Sequence, residues 1–141
     1  MRWNTVLFDL DGTVTDPKEG ITCAVAYALR QQGIIADPDT LTSFIGPPLH
    51  ESFPELFGLT EEQTDRAIRD FRVYFSRQGW AENIPYPGMA AFLAALRDAG
   101  LTLLIATSKP EPMAVRILEH FDLAQYFTAI CGSQPGDRSS A

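Results

Sequence analysis

The sequence predicts an α/β fold: a parallel sheet core interrupted near its start by an inserted all-helical module. Three observations carry this expectation. Short runs rich in β-branched, aromatic and aliphatic residues at 4–10, 101–106 and 127–131 read as strands buried in a sheet. Helical periodicity fills 16–82 almost without a break, then returns at 89–98 and 112–120. The resulting order of strand, helical insert, helix, strand, helix, strand is the alternation that builds parallel sheets through right-handed crossovers. The boundaries fall at 1–15 with 85–141 for the α/β core and 16–84 for the helical module.

Taken in order, Asn4 to Leu10 is a strand because T-V-L-F is β-branched and aromatic and Gly12 stops it. Asp16-Pro17-Lys18-Glu19 then reads as a helix start, with Asp16 as N-cap, Pro17 in the first helical position and Glu19 completing a capping box. Ile21, Val25, Ala28 and Leu29 form its apolar face, and Gly33 ends it. Helical signals continue at 41–45 and 49–57. A longer helix spans Thr60 to Gln78, with Ala67, Ile68, Phe71, Tyr74 and Phe75 recurring at helical spacing. I-P-Y-P-G at 84–88 marks the boundary back to the core. Met89 to Asp98 is amphipathic and closed by Gly100. Strand L-T-L-L-I-A, helix Pro112 to His120 and strand Phe127 to Cys131 complete the pattern.

Composition narrows the function. Among 141 residues there are eleven Lys and Arg against eighteen Asp and Glu, a net charge of −7. That balance argues against nucleic acid and against anionic membrane surfaces as partners. It leaves room for a small anionic substrate, because one lysine or metal ion reverses the sign locally. The N-terminal apolar run is too short for a signal peptide, and no stretch approaches the ~20 apolar residues of a membrane span. Cys23 and Cys131 stand far apart in apolar surroundings and read as buried, reduced thiols of a cytoplasmic protein. His50 and His120 have no Cys or His at ligand spacing, which argues against zinc.

The chemistry is concentrated in V-L-F-D-L-D-G-T-V, residues 6–14. Residues two apart in a strand share a face, so Asp9 and Asp11 project together at the strand's carboxyl end if it continues regularly. That end is where parallel sheets bind ligands. Two carboxylates so close resist burial unless a cation joins them, and Mg2+ accepts such hard oxygen donors together with phosphate oxygens. Gly12 permits a sharp turn and close approach to a ligand, and Thr13 adds a hydroxyl. The alternative is that the aspartates only cap a turn. The later strand ends in I-A-T-S-K-P, which sets Thr107, Ser108 and Lys109 in the corresponding place. Hydroxyls and an ammonium there suit a phosphoryl group, although Thr-Ser-Lys-Pro alone is also a common loop.

D-L-D-G-T-V resembles the first motif of the haloacid dehalogenase (HAD) superfamily, and I-A-T-S-K-P its second. T-D-P-K-E-G-I, I-G-P-P-L and A-T-S-K-P together resemble its phosphoglycolate phosphatase-like members, and the helical insert falls where one branch carries a helical cap. The resemblance implies a partial Rossmann-like core and a Mg2+-dependent phosphatase acting on a small phosphate monoester through an aspartyl-phosphate. It makes Asp9 the nucleophile and a metal ligand. Asp11 becomes the general acid and then base, with its backbone carbonyl on the metal. Thr107 takes the phosphoryl oxygens, with Gly12, Thr13, Ser108 and Lys109 in support.

The pattern also departs from that family. Its third motif is a lysine after the third core strand, yet no lysine follows Cys131, where Arg138 is the one base. Gly136-Asp137 imitates the start of the acidic fourth motif but reads as a loop. The expectation is a helical cap plus the first half of a core, with impaired turnover and self-association as one way to supply missing surface. Two other functions stay open at this point: a non-catalytic fragment or binding module, and a phosphomutase of the same superfamily. Gly46 to Leu49 either faces substrate or is a rigid turn. Arg66, Arg69, Arg72 and Arg77 read as a solvated helix face, and Trp80, Phe92 and Phe121 as packing residues.

Overall fold

The computed structural model describes residues 3–134. These divide into two compact units, residues 3–16 with 84–134, and Pro17–Asn83.

The first unit holds a three-stranded parallel sheet. Its strands are β1 (Thr5–Phe8), β4 (Thr102–Pro110) and β5 (Ala129–Ser133), in the spatial order β1-β4-β5. Thr5 lies opposite Thr102 and Phe8 opposite Ile105, while Leu104 faces Ala129 and Ile105 faces Ile130. Two-residue strands β2 (Thr15–Asp16) and β3 (Ile84–Pro85) pair antiparallel beside it. Helices α4 (Met89–Asp98) and α5 (Glu111–His120) contribute Leu93, Ala114 and Leu118 to one apolar cluster with Leu103 and Ile105. Val6, Phe8 and Ile130 pack against the same cluster. Each fully buried Leu or Ile there contributes about 1.5–3 kcal/mol of transfer free energy. The predicted α/β class with a parallel sheet is the observed one.

The second unit is all helical: α1 (Lys18–Gln31), α2 (Leu49–Phe57) and α3 (Glu61–Arg77), with short 3-10 turns between α1 and α2 and after α3. The apolar stripe read from α1 is buried at Val25, Ala28 and Leu29, against Phe44, Phe53 and Ala67. Helix α3 begins with a capping box, in which the Gln63 N–H donates to Thr60 Oγ1 at 3.2 Å and the Thr60 N–H to Gln63 Oε1 at 2.9 Å. Gly20 and Gly79 meet without side chains, and a Cβ on Gly20 would collide with the Gly79 carbonyl. Tyr74 donates to Glu82 Oε1 at 2.8 Å. Burial first, and then that bond, push the Tyr74 phenol well above its ordinary range. Cys23 is half-buried, not fully buried as expected, and burial, followed by the charges of Glu82 and Glu19, likewise raises its thiol. The arginines of α3 are exposed as read.

Several local expectations are corrected. The N-cap position of α1 falls on Pro17, one residue later than expected, and Asp16 pairs with Ile84 in β2–β3. Strand β1 is not buried on both faces, since Leu7 is 64% exposed. Cys131 is exposed instead of buried, and so is Phe92. Strand β4 runs on through Thr107, Ser108 and Lys109, with a register shift between Ala106 and Pro110. Strand β5 starts two residues later than expected. The segment containing Gly136, Asp137 and Arg138 lies outside the described residues.

Candidate active site

Parallel pairing of β1 with β4 brings their carboxyl ends to one side of the sheet. Phe8 is opposite Ile105, so the residues following each strand position emerge together. After β1 the chain winds tightly around one carbonyl. Leu10 is fully buried, and its C=O accepts from the N–H groups of Thr13 (3.1 Å), Val14 (2.9 Å) and Thr15 (3.2 Å). The Gly12 N–H donates to the Thr15 carbonyl at 2.8 Å, and Gly12 sits at φ +81°. That left-handed conformation is what an L side chain resists. The turn therefore needs a glycine at 12, and it leaves Gly12 and Thr13 exposed.

Asp9 stands at the exposed lip of this turn, where its Oδ1 accepts the Leu10 N–H at 2.8 Å. Asp11 turns inward. Its Oδ2 lies 3.2 Å from Lys109 Nζ, with the lysine side chain 10% exposed and the aspartate 34%. Asp11 Oδ1 is buried and accepts no hydrogen bond among the described residues. A buried anionic oxygen left so is costly, and a cation, a water or a donor from a ligand satisfies it. From β4, Thr107 Oγ1 accepts the Lys109 N–H at 3.1 Å, so its own hydroxyl proton is available to a ligand. Ser108 is exposed at the same strand end. All seven residues singled out in the sequence thus lie on the turn after β1 or the last stretch of β4. The ion pair of Asp11 with Lys109 ties the two together.

Three neighbours escaped sequence reading. Thr15 is fully buried, lies opposite Asp11 in an isolated bridge, and its hydroxyl has no hydrogen bond among the described residues. Glu111 accepts the Gly132 N–H at 3.1 Å, and a Cβ on Gly132 would stand 2.5 Å from the Glu111 Cα. That close passage seats β5 against the end of β4. A glycine inside a strand is the signal that could have marked it; nothing in the sequence marks Thr15 or Glu111.

The donors fit Mg2+ as a shared ion. Asp9 and Asp11 offer hard oxygens, and the buried Asp11 Oδ1 has no hydrogen-bond partner among the described residues. Among the described residues no group of three or more His, Cys, Asp or Glu is placed to hold a metal.

The chain is thus an α/β protein with two aspartates on the turn after one parallel strand and hydroxyls and a lysine at the end of the next. More specifically, the chain belongs to the haloacid dehalogenase-like hydrolase family, whose model matches residues 6–139. It is similar to the 1.7 Å crystal structure of a protein assigned as a phosphatase in Clostridium difficile, with TM-score 0.93 and 45% identity. That match covers 96% of this chain and 64% of the other. A 5'-nucleotidase of Pseudomonas aeruginosa is 43% identical over 136 residues, 95% of this chain and 61% of its own. The tyrosine-protein kinase PtkA of Mycobacterium tuberculosis is 44% identical over 137 residues, 96% of this chain and 46% of its own. Phosphoglycolate phosphatases are among the further relatives. The chain spans about half to two thirds of the length of these proteins. No helix among the described residues is long and apolar enough to cross a membrane.

Proposed function

We propose that the site performs the phosphoryl-transfer half-reactions of a Mg2+-dependent phosphomonoesterase acting on a small phosphorylated metabolite. The observation that carries this is the meeting of Asp11 with Lys109 at 3.2 Å, which joins the carboxylate turn to the Thr107–Lys109 strand end. Asp9, exposed at the lip, attacks phosphorus; the new bond is Asp9 Oδ to P, and the bond to the leaving alkoxide breaks. Asp11, in its protonated form, gives its proton to that alkoxide, leaving an alcohol and an aspartyl-phosphate on Asp9. Water then attacks the aspartyl-phosphate while Asp11 takes its proton, and inorganic phosphate leaves with Asp9 restored. Thr107 donates its hydroxyl to a phosphoryl oxygen. Ser108 and the amides of Gly12 and Thr13 support it, and Lys109 neutralises charge as it develops. Asp9 and the Asp11 backbone carbonyl would hold Mg2+, which would supply electrostatic neutralisation of the anionic nucleophile and phosphate.

Beryllofluoride, which mimics a phosphoryl group on a carboxylate, tests the reading. With Mg2+ present, 19F NMR of the chain should show a bound trifluoroberyllate signal that Asp9→Asn abolishes. A signal undiminished in Asp9→Asn, or none in the wild-type chain, contradicts it. The likeness to PtkA favours a second acceptor for the same phosphoryl group, a tyrosine hydroxyl in place of water. Product analysis separates the two, because hydrolysis releases inorganic phosphate and transfer to tyrosine does not.

A further inference from the structure

Helix α3 carries a row of cations that the site on the sheet does not use. Arg66, Arg69, Val73 and Arg77 recur at i, i+3, i+7 and i+11, so they share one face, and Arg72 flanks it. All five are exposed, while Ala67, Ile68 and Phe71 join the apolar cluster of the helical unit. The row runs against the charge of the chain. Residues 66–77 hold four arginines and Asp70, a net +3; the whole chain is −7, so the remaining residues sum to −10. Asp65 and Arg69, like Arg66 and Asp70, have the i, i+4 spacing at which a solvated helix pairs its charges. Even so, none of the four arginines takes part in an ion pair among the described residues. At its end the row meets a groove of about 280 Å3 lined by Tyr27, Val73, Tyr74, Arg77 and Gln78. The Tyr27 and Tyr74 rings stand 5.4 Å apart, tilted by 35°. The Tyr74 ring is anchored, since its hydroxyl donates to Glu82 Oε1 at 2.8 Å and accepts from Gln78 Nε2 at 2.7 Å.

We propose that this face of α3 docks a short acidic segment of a partner protein, with carboxylates along Arg66, Arg69 and Arg77 and one aromatic side chain in the tyrosine groove. Charge complementarity selects the partner. Guanidinium groups match carboxylates in bidentate geometry, and these four have no carboxylate of their own. Length selects an extended segment. Arg66 to Arg77 covers about 16 Å of helix at a rise of about 1.5 Å per residue, the reach of about five extended residues. The groove lies just below the ~300–1,000 Å3 of small-molecule sites and suits one ring packed against two others. Val73, 39% exposed, adds apolar surface between the arginines. Nucleic acid is the poorer occupant, because a long polyanion meets the −10 of the remaining chain beyond the row. A second copy fits poorly too, since a two-fold contact through this face sets one arginine row against the other.

The proposal does not depend on the phosphatase reading. A fluorescein-labelled peptide of sequence EEDFEED is titrated with the full chain at low ionic strength and followed by anisotropy. The expected result is saturable binding that added salt weakens. Arg69→Gln with Arg77→Gln should weaken it at least about tenfold, and glycine in place of the peptide's phenylalanine should do the same. Both arginines are exposed, so the double variant should melt with the wild type, which shows that lost binding is not lost folding. Four results overturn the proposal: no saturable binding by the wild-type chain, undiminished binding by the double variant, equal binding of the glycine peptide, or tighter binding of an oligothymidylate of equal charge. A dimer of the chain that the double variant dissociates, read by sedimentation, overturns it as well, because the occupant is then a second copy.

Discussion

Replacing Lys109 with methionine keeps most of the side chain's length and apolar stem while removing its charge, and with it the contact with Asp11. The structure sets the magnitude. The pair lies 3.2 Å apart, with the lysine 10% and the aspartate 34% exposed, between the surface and buried limits. Exposed pairs are worth about 0–1 kcal/mol. Removing one partner from a fully buried pair costs about 3–5 kcal/mol, mostly through the stranded charge. Asp11 Oδ1 already has no hydrogen bond among the described residues, so losing Lys109 leaves the carboxylate poorly compensated on both oxygens. The expected cost is about 1–3 kcal/mol. Asp11→Asn in the Lys109→Met background should recover part of it, because a neutral amide is cheaper to leave unpaired than a carboxylate. Urea denaturation of the two single variants, the double variant and wild type closes the cycle. A coupling energy of about 1 kcal/mol or more is expected, falling slightly with added salt. Additive effects, or a Lys109→Met chain as stable as wild type, would refute the claim that this ion pair joins the two halves of the site.

Gly12→Ala forces a side chain into φ +81° and should cost about 1–2 kcal/mol in thermal stability while weakening beryllofluoride capture. Gly132→Ala should destabilise by about 1–3 kcal/mol, since its Cβ would stand 2.5 Å from the Glu111 Cα; an unchanged melting temperature would count against the close passage. Thr107→Val removes one donor to the phosphoryl group and should weaken Mg2+-dependent phosphate binding by about tenfold, read by calorimetry. For Tyr74, burial and the bond to Glu82 raise the phenol in the folded state above its unfolded pKa of about 10. Its contribution is therefore fully present below pH ~10 and is lost as pH climbs toward the folded value. Wild type should lose stability relative to Tyr74→Phe across that alkaline range, and equal alkaline slopes would contradict it.

Much of the fold was legible because its signals are local. Periodicity located α1, α3, α4 and α5 within a few residues, and the Asp-x-Asp-Gly turn announced a strand end that a glycine must shape. The pairing of Asp16 with Ile84 in β2–β3 was not legible, because it joins residues far apart in sequence. Leu7 and Cys131 misled for a different reason. A short apolar run cannot reveal whether one sheet face or two are covered, since that depends on which side the crossover helices take. The site divides in the same way. Spacing brought out Asp9 and Asp11, and strand-end position brought out Thr107 to Lys109. That Asp11 in particular meets Lys109, with Thr15 buried behind it, depends on the parallel register and the winding of residues 10–15 around one carbonyl.

Trapping the covalent intermediate tests the central claim most directly. The chain is incubated with a small acyl or aryl phosphate and Mg2+, and quenched with borohydride, which reduces an aspartyl-phosphate to homoserine. Peptide mass spectrometry should then find homoserine at position 9, with Asp11 unmodified and no conversion in Asp9→Asn. Homoserine at position 11, or conversion of neither aspartate where beryllofluoride binds, would contradict the assignment of Asp9 as the nucleophile.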